Sequence, residues 1–315
     1  MDKKILVTGA FGQIGSELVP VLQKKYGVDN IVAAGHSATR EGFVGVSTQI
    51  SIDDPAALRD LVTKYNIGTV YHLASFLSAK CERDPDLAWQ VNMGGLKNIL
   101  DLAREHKLRL FWPSSIGAFG PTTPKLDTPQ HTIMEPTTIY GVTKLAGELL
   151  CQYYFSKYGV DVRSVRYPGI LSYKTEPSDG TTEYSIAMFY EGIKNGKYEC
   201  FLQADSVLPM MYIDDAIRAT VQIMEAPMDK ITIRTSYNLA AISFSPQELA
   251  AEITKHIPAL QVTYKPDSRQ AIADSWPKSI SDKQARQDWG WQHEYTLPRV
   301  TEEIIKNLTP RLLGK

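Results

Sequence analysis

The stretch ILVTGAFGQIGSEL at residues 5–18 sets the first constraint on what this chain can become. A short apolar run meets three evenly spaced glycines, Gly9, Gly12 and Gly15, and an amphipathic helical pattern follows at once. Gly9 permits a tight turn, Gly12 lets the backbone come close to a pyrophosphate, and Gly15 lets helix and strand pack closely. The free N–H groups and positive dipole end of the helix, with Gln13 and Ile14 at the turn, then face an anion. Such a glycine motif means little alone; it gains weight directly after a first strand and inside a strand–helix–strand rhythm.

That rhythm continues. Apolar runs at Lys4–Thr8, Ile31–Ala34, Thr69–Leu73, Arg109–Pro113 and Val160–Tyr167 predict strands. Helical patterns at Ile14–Tyr26, Pro55–Tyr65, Asp84–His106 and Thr138–Tyr158 lie between them. The strand runs lack clean alternation, which suits a parallel sheet covered on both faces. The expected fold is α/β, a doubly wound parallel sheet over residues 1–167, with a smaller α/β lobe over 168–315. The polar stretch SYKTEPSDGTTEY predicts a long loop after Pro168. Beyond it, helices are expected at Ser185–Asn195, Asp214–Glu225 and Pro246–His256, and short strands near Cys200–Gln203, Tyr237–Ala240 and Gln261–Tyr264. The run at Tyr237–Ala240 is a candidate to return to the main sheet.

Bulk properties exclude several function classes. A formal net charge of -1 leaves no electrostatic footprint for nucleic acid or an anionic membrane. No segment approaches the ~20 apolar residues of a membrane span, and MDKKILVTGA lacks the apolar run of a signal peptide. Cys81, Cys151 and Cys200 are too few and scattered for a disulfide framework. These features predict a cytoplasmic protein. The six histidines, His36, His72, His106, His131, His256 and His293, show no metal-ligand spacing, so no metal is expected.

The chemistry-bearing residues cluster in two places. In TIYGVTKLAGE, Tyr140 and Lys144 stand four apart and share a helix face. An ammonium beside a phenol favours the phenolate and makes it a usable base near neutral pH. Upstream, FWPSSIGAFG places Ser114 and Ser115 just past the fourth strand, at the carboxyl edge where ligands of such sheets bind. Each feature alone has an ordinary structural explanation: helix decoration for the pair, a turn hydroxyl for either serine. The glycine turn, the serines and the Tyr140/Lys144 pair in this order are far more specific.

Together these motifs resemble the extended short-chain dehydrogenase/reductases over nearly the whole chain. The match includes YHLAS, Asn92 in VNMGG, and RYPGI. Within that superfamily the chain resembles the short-chain type of L-threonine 3-dehydrogenase. FWPSSIGAFGPTTPK, VRYPGILSYKTEPSDGTTEY, YECFL, PMMYIDDAI and IADSWP carry that narrower likeness. The resemblance implies a Rossmann sheet, NAD as cofactor, and oxidation of the β-hydroxyl of L-threonine to L-2-amino-3-ketobutyrate. It implies Tyr140 as general base, Lys144 as its electrostatic partner, and Ser115 holding the substrate oxygen. Around the cofactor it implies Gly9, Gly12, Gln13, Ile14, Gly15, Ser37, Ile52, Asp53, Leu73, Ala74, Ser75 and Asn92, with Tyr140 and Lys144. Tyr167, Pro168 and Ile170 would line the nicotinamide, and Ser78, Gly180, Thr181 and Thr182 would contact the amino acid. A homodimer through Asp84–His106 and Thr138–Tyr158 is likewise implied.

Two departures stand out. The family's Gly-Gly-Gly-Thr-Thr-Asp run is Ser178-Asp179-Gly180-Thr181-Thr182-Glu183 here, and Gly35 stands where an acid would grip the ribose 2′-hydroxyl. Trp276 reads as a core residue, with the cap of a pocket as its second reading, Asp214 and Asp215 as helix caps, and Met210 and Met211 as core or site wall. Two other functions compete: a nucleotide-sugar epimerase or dehydratase of the same superfamily, and a non-catalytic nicotinamide-binding protein.

Overall fold

The computed structural model describes residues 3–36 and 42–314. The first half runs β1 (Lys4–Thr8), α1 (Gly15–Tyr26), β2 (Ile31–Gly35), β3 (Val46–Gln49), α2 (Pro55–Lys64) and β4 (Ile67–His72). It continues through α3 (Ser78–Arg83), α4 (Pro85–Trp89), α5 (Gly95–His106), β5 (Arg109–Ser115), α6 (Ile139–Tyr158) and β6 (Val162–Tyr167). The second half contains β7 (Gly169–Leu171), α7 (Tyr184–Asn195), β8 (Lys197–Cys200), β9 (Leu208–Tyr212), α8 (Ile213–Glu225) and β10 (Tyr237–Asn238). It closes with β11 (Ile242–Phe244), α9 (Pro246–Thr254), β12 (Gln261–Tyr264), α10 (Arg269–Ser275), α11 (Lys283–Trp289) and α12 (Leu297–Leu313).

Seven parallel strands form the main sheet in the order β10-β6-β5-β4-β1-β2-β3. The chain winds outward from β1 to β3, then crosses to β4 on the other side, so the switch point lies between β1 and β4. Loops at the carboxyl ends of those strands diverge there and leave a crevice. The expected doubly wound sheet is the fold observed. β10 pairs with β6 through Tyr237 and Asn238, so this short run does return to the main sheet.

Every residue of β2 and of β6 is buried, as strands covered on both faces must be. Leu18, Val19 and Leu22 of α1 pack on one face with residues of α8 and the second lobe. Leu58 and Leu61 of α2, Leu96 and Leu100 of α5, and Cys151 and Tyr154 of α6 cover the other. Helix boundaries follow local signals. Asp54 caps α2 by accepting from the Ala56 and Ala57 amides, with Pro55 next, and Ser245 and Glu248 form a reciprocal capping box on α9.

Several elements differ from the sequence reading. The single helix expected over 84–106 is α4 and α5 joined by a π-helical turn at Gln90–Gly94. The edge strand β3, VSTQ, was not predicted, because a half-buried polar edge lacks an apolar run. The strand expected at 200–203 is β8, three residues earlier, in parallel register with β12. The chain after β6 also contains β7, β9 and β11 in a three-stranded sheet, and α10 to α12. LPMMY of β9 is apolar throughout, a pattern that fits strand and buried helix alike. No helix among the described residues is long and apolar enough to cross a membrane.

Candidate active site

The glycine turn lies at the crevice between β1 and β4. Gly9 has φ +66, and a side-chain carbon there would stand 2.7 Å from the Ala74 nitrogen. A carbon on Gly15 would collide with the Gly9 carbonyl oxygen and come within 2.7 Å of Ala10, so only glycine fits where α1 meets β1. Gly12 is different: a carbon there would meet only the Gly9 oxygen, at 3.4 Å. Its own face is left clear for a ligand to approach.

α6 carries the tyrosine and lysine, and its first turn is firmly held. The Thr138 hydroxyl accepts from the Gly141 amide at 3.1 Å, and Glu82 of α3 accepts from the Ile139 amide at 2.8 Å. The Tyr140 ring lies against Gly117, where a side-chain carbon would sit 3.0 Å from ring atoms. Lys144 is 3% exposed, and its ammonium donates to the Pro113 carbonyl at 2.9 Å. The same ammonium stands 5.5 Å from the Tyr140 ring centroid. Ser115 ends β5 and accepts from the Gly117 amide at 3.1 Å, which leaves its own proton to donate.

Electrostatics modify the simple expectation for this pair. Burial pulls Lys144 down to about 8. Burial pushes Tyr140 up to about 12, opposed by a hydrogen bond from Ser115. Desolvation of the phenolate thus outweighs the hydrogen bond from Ser115.

One continuous cleft brings together Gly9, Gly12, Gln13, Ile14 and Gly15 with Leu73, Ser75, Ser115, Tyr140 and Lys144. Tyr167, Pro168 and Ile170 form one wall, and Ser78, Gly180, Thr181 and Thr182 lie along the same cleft. A neighbouring pocket past Gly9 is lined by Gly35, Ile52, Asp53, Ala74 and Ser75, together with His36 and Lys80. The Asp53 carboxyl is held below its usual range, chiefly by the Ser51 hydroxyl.

Asn92 does not line either cavity. It sits in the π-helical turn and binds the Phe76 amide at 2.7 Å, with its own amide 3.3 Å from the Thr143 hydroxyl. Its position is that of a brace between the segment after β4 and α6. Ser37, and Arg40 three residues later in the sequence, fall outside the described residues.

Other residues take places the sequence did not announce. Trp276 is buried in the core, as expected, and one side of it also lines the cleft, as do Ser178 and Glu183. Lys125 explains how the tryptophan is held. Its ammonium donates to the carbonyls of Asp274, Ser275 and Trp276 at 2.9, 2.7 and 3.3 Å, capping the end of α10. The IADSWP run was the available signal for this tryptophan. Glu183 accepts from the Ser178 amide at 3.0 Å, and burial raises its carboxyl. Asp214 and Asp215 do not cap α8. Asp215 pairs with Arg218 at 2.5 Å and accepts from the Glu294 and Tyr295 amides, while Asp214 accepts from the Tyr295 hydroxyl. Met210 and Met211 are fully buried core residues.

Residues 5–240 match the NAD dependent epimerase/dehydratase family. The mitochondrial L-threonine 3-dehydrogenase of Bos taurus is 47% identical over 96% of this chain and 82% of its own. A GalE-like L-threonine dehydrogenase from Cupriavidus necator, in its holo form, superposes with TM-score 0.95 and 49% identity, covering 97% of this chain and 99% of its own. A monomeric L-threonine 3-dehydrogenase of metagenomic origin, in its apo form, has TM-score 0.95 and 47% identity over 98% and 99% of the two chains. On fold, site geometry and likeness across nearly its full length, the chain belongs to the NAD dependent epimerase/dehydratase family, among relatives that include the L-threonine 3-dehydrogenases.

Proposed function

We propose that this protein is an NAD-dependent L-threonine 3-dehydrogenase that oxidises the β-hydroxyl of threonine to L-2-amino-3-ketobutyrate. The observation that carries this reading is the convergence of Tyr140, Lys144 and Ser115 in one cleft with the glycine turn and the 180–182 segment. The residues fit a dinucleotide. The clear face of Gly12 and the α1 N-terminus suit the pyrophosphate, and Ile52 and Asp53 suit the adenine end. Leu73, Ala74 and Ser75 follow the middle, and Tyr167, Pro168 and Ile170 flank the nicotinamide. When bound, oxidised nicotinamide supplies a hydride acceptor and a positive charge beside the reacting carbon.

The chain's own residues do the rest. Ser115 gives its one proton to the substrate oxygen, fixing the hydroxyl beside Tyr140, which takes the substrate's proton. Lys144 holds a positive charge one helical turn away. Ser78, Thr181 and Thr182 offer hydroxyls to the amino acid's polar groups. Among the described residues lining the cleft, Lys144 is the one cation and Glu183 the one carboxylate. That balance suits a small zwitterion and offers little to the second diphosphate-linked sugar of an epimerase substrate.

We also assign residues 1–167 to the cofactor-binding unit and 168–315 to the substrate lobe, with α8 and β10 lent back to the main sheet. A homodimer through α5 and α6 is consistent with exposed Val142, Leu149 and Tyr153 on α6. A cytoplasmic setting fits three buried, unpaired cysteines. The deciding assay offers purified protein L-threonine with NAD, then nucleotide sugars. NADH formation with threonine alone is expected; epimerised or dehydrated sugar product would overturn the assignment.

A further inference from the structure

Below the active site, α6 carries a third polar residue on the face of Tyr140 and Lys144. Glu148 stands one turn past Lys144 and is 0% exposed. Ser114 donates to its Oε1 at 2.5 Å; Arg166 of β6 donates through Nε to Oε1 at 2.9 Å and through Nη2 to Oε2 at 2.7 Å. Three consecutive residues at the end of β5 are therefore tied to this one helix face. The Pro113 carbonyl holds Lys144, the Ser114 hydroxyl holds Glu148, and the Ser115 hydroxyl reaches Tyr140.

Arg166, 2% exposed, continues the network away from the helix. Its Nη1 donates to Asn238 Oδ1 at 2.8 Å and to the Gln130 carbonyl at 3.1 Å. Asn238 donates to the Thr128 carbonyl at 3.2 Å, and Thr128 pairs with residues 279 and 281 through backbone bonds of 3.0 Å. Ser279 of that strip donates its amide to the Lys125 carbonyl at 3.2 Å, and the Lys125 ammonium grips the carbonyl of Trp276. A continuous set of bonds runs from the tyrosine-bearing helix to the tryptophan in the cleft.

A buried ion pair of this kind is often no better for stability than apolar residues of the same volume. Its placement calls for another reason. We propose that Glu148 and Arg166 are positioning residues for the dehydrogenation, registering α6 against the end of β5 so that Lys144, Ser115 and Tyr140 meet, and setting the charge that Lys144 experiences. This rests on the reading of Tyr140 as the base. The groups facing Lys144 are Tyr140, Glu148 and Cys151 from its own helix, Cys81 from α3 and His72 from β4. His72 is held neutral by burial, which pulls it to about 3; burial pushes Cys81 to about 11 and Cys151 higher still. Arg166 joins this set from β6 through its ion pair with Glu148.

The test reads Lys144 directly. Competitive acetylation across pH, followed by peptide mass spectrometry, gives the pH at which Lys144 becomes half reactive. In Glu148→Gln, Arg166 is left as an unpaired buried cation, so that midpoint is expected about one unit lower. In the double variant Glu148→Gln/Arg166→Gln it is expected back near its starting value. The pH profile of kcat/KM should move the same way, with the NADH dissociation constant within about twofold. An unchanged acetylation midpoint in Glu148→Gln overturns the inference. Wild-type protein that fails to oxidise threonine overturns the functional reading alone, because the acetylation midpoint still reports on the pair. If Glu148→Gln does not fold, Ser114→Ala carries the test: kcat is expected to fall about fivefold at unchanged NADH affinity. Wild-type kcat in Ser114→Ala would then overturn the inference.

Discussion

Tyr140 and Lys144 share a helix face, yet each is set by what surrounds it rather than by its partner alone. Tyr140→Phe removes a placed proton acceptor, so turnover should fall by about 10²–10⁴-fold while NADH affinity stays nearly constant. Near-normal turnover would remove Tyr140 from its role. Lys144 makes a thermodynamic prediction. Its pKa is lowered from 10.5 to about 8 in the folded protein, so between those values the unfolded chain binds a proton the folded chain does not. Stability owed to this group therefore rises with pH across that window. Relative to Lys144→Met, the wild type should gain on the order of 2 kcal/mol between pH 7.5 and 10 in chemical denaturation. Parallel pH dependence of the two proteins would count against a buried, depressed lysine. Gly35 ends β2 in extended conformation, paired with Gln49, so an aspartate is allowed there by the backbone. NAD should remain preferred over NADP by a narrow margin, and Gly35→Asp should widen it by about 10- to 100-fold in kcat/KM. An outright NADP preference, lost on Arg40→Ala, would reverse the assignment.

At the scale of elements, the 172–183 segment forms part of the cleft wall. Arg83 and Asp179 pair at 2.8 Å, but both side chains are largely exposed, so the bond adds little. Firmer contacts hold its base, where Arg311 of α12 and the Tyr190 hydroxyl both donate to the Tyr173 carbonyl. A segment fixed at its base and loosely held at its tip suits closure over substrate. Protease cleavage within 175–183 should slow several-fold when NAD and threonine are both present. Equal cleavage with and without them would argue for a fixed wall. The π-helical turn at Gln90–Gly94 shows the opposite economy, turning Asn92 inward to brace Phe76. Periodicity predicted the long helix here, but a single inserted residue in its winding leaves no trace in an apolar pattern.

For the molecule as a whole, α6 presents Leu149 and Tyr153, 55% and 50% exposed, on the side away from the sheet. Light scattering should find a dimer, and Leu149→Asp should shift it to monomer with the fold intact. A monomeric wild type, like the metagenomic relative, would make that surface simple solvent exposure. The sequence alone determined the features that depend on neighbours along the chain. The glycine turn, the strand–helix alternation, the four-residue spacing of Tyr140 and Lys144 and the serines at a strand end are all local, and in this order they fit a doubly wound sheet with a site at its carboxyl edge. Tertiary structure decided what depends on distant segments meeting. Trp276 reaches the cleft because Lys125, far away in sequence, caps the helix before it. Asp215 holds residues 294 and 295 instead of capping its own helix. Glu148 meets Arg166 only once β6 lies beside β5. The direction of the Tyr140 shift belongs to the same class, because desolvation is a property of the packed cleft, and spacing along a helix carries no measure of it.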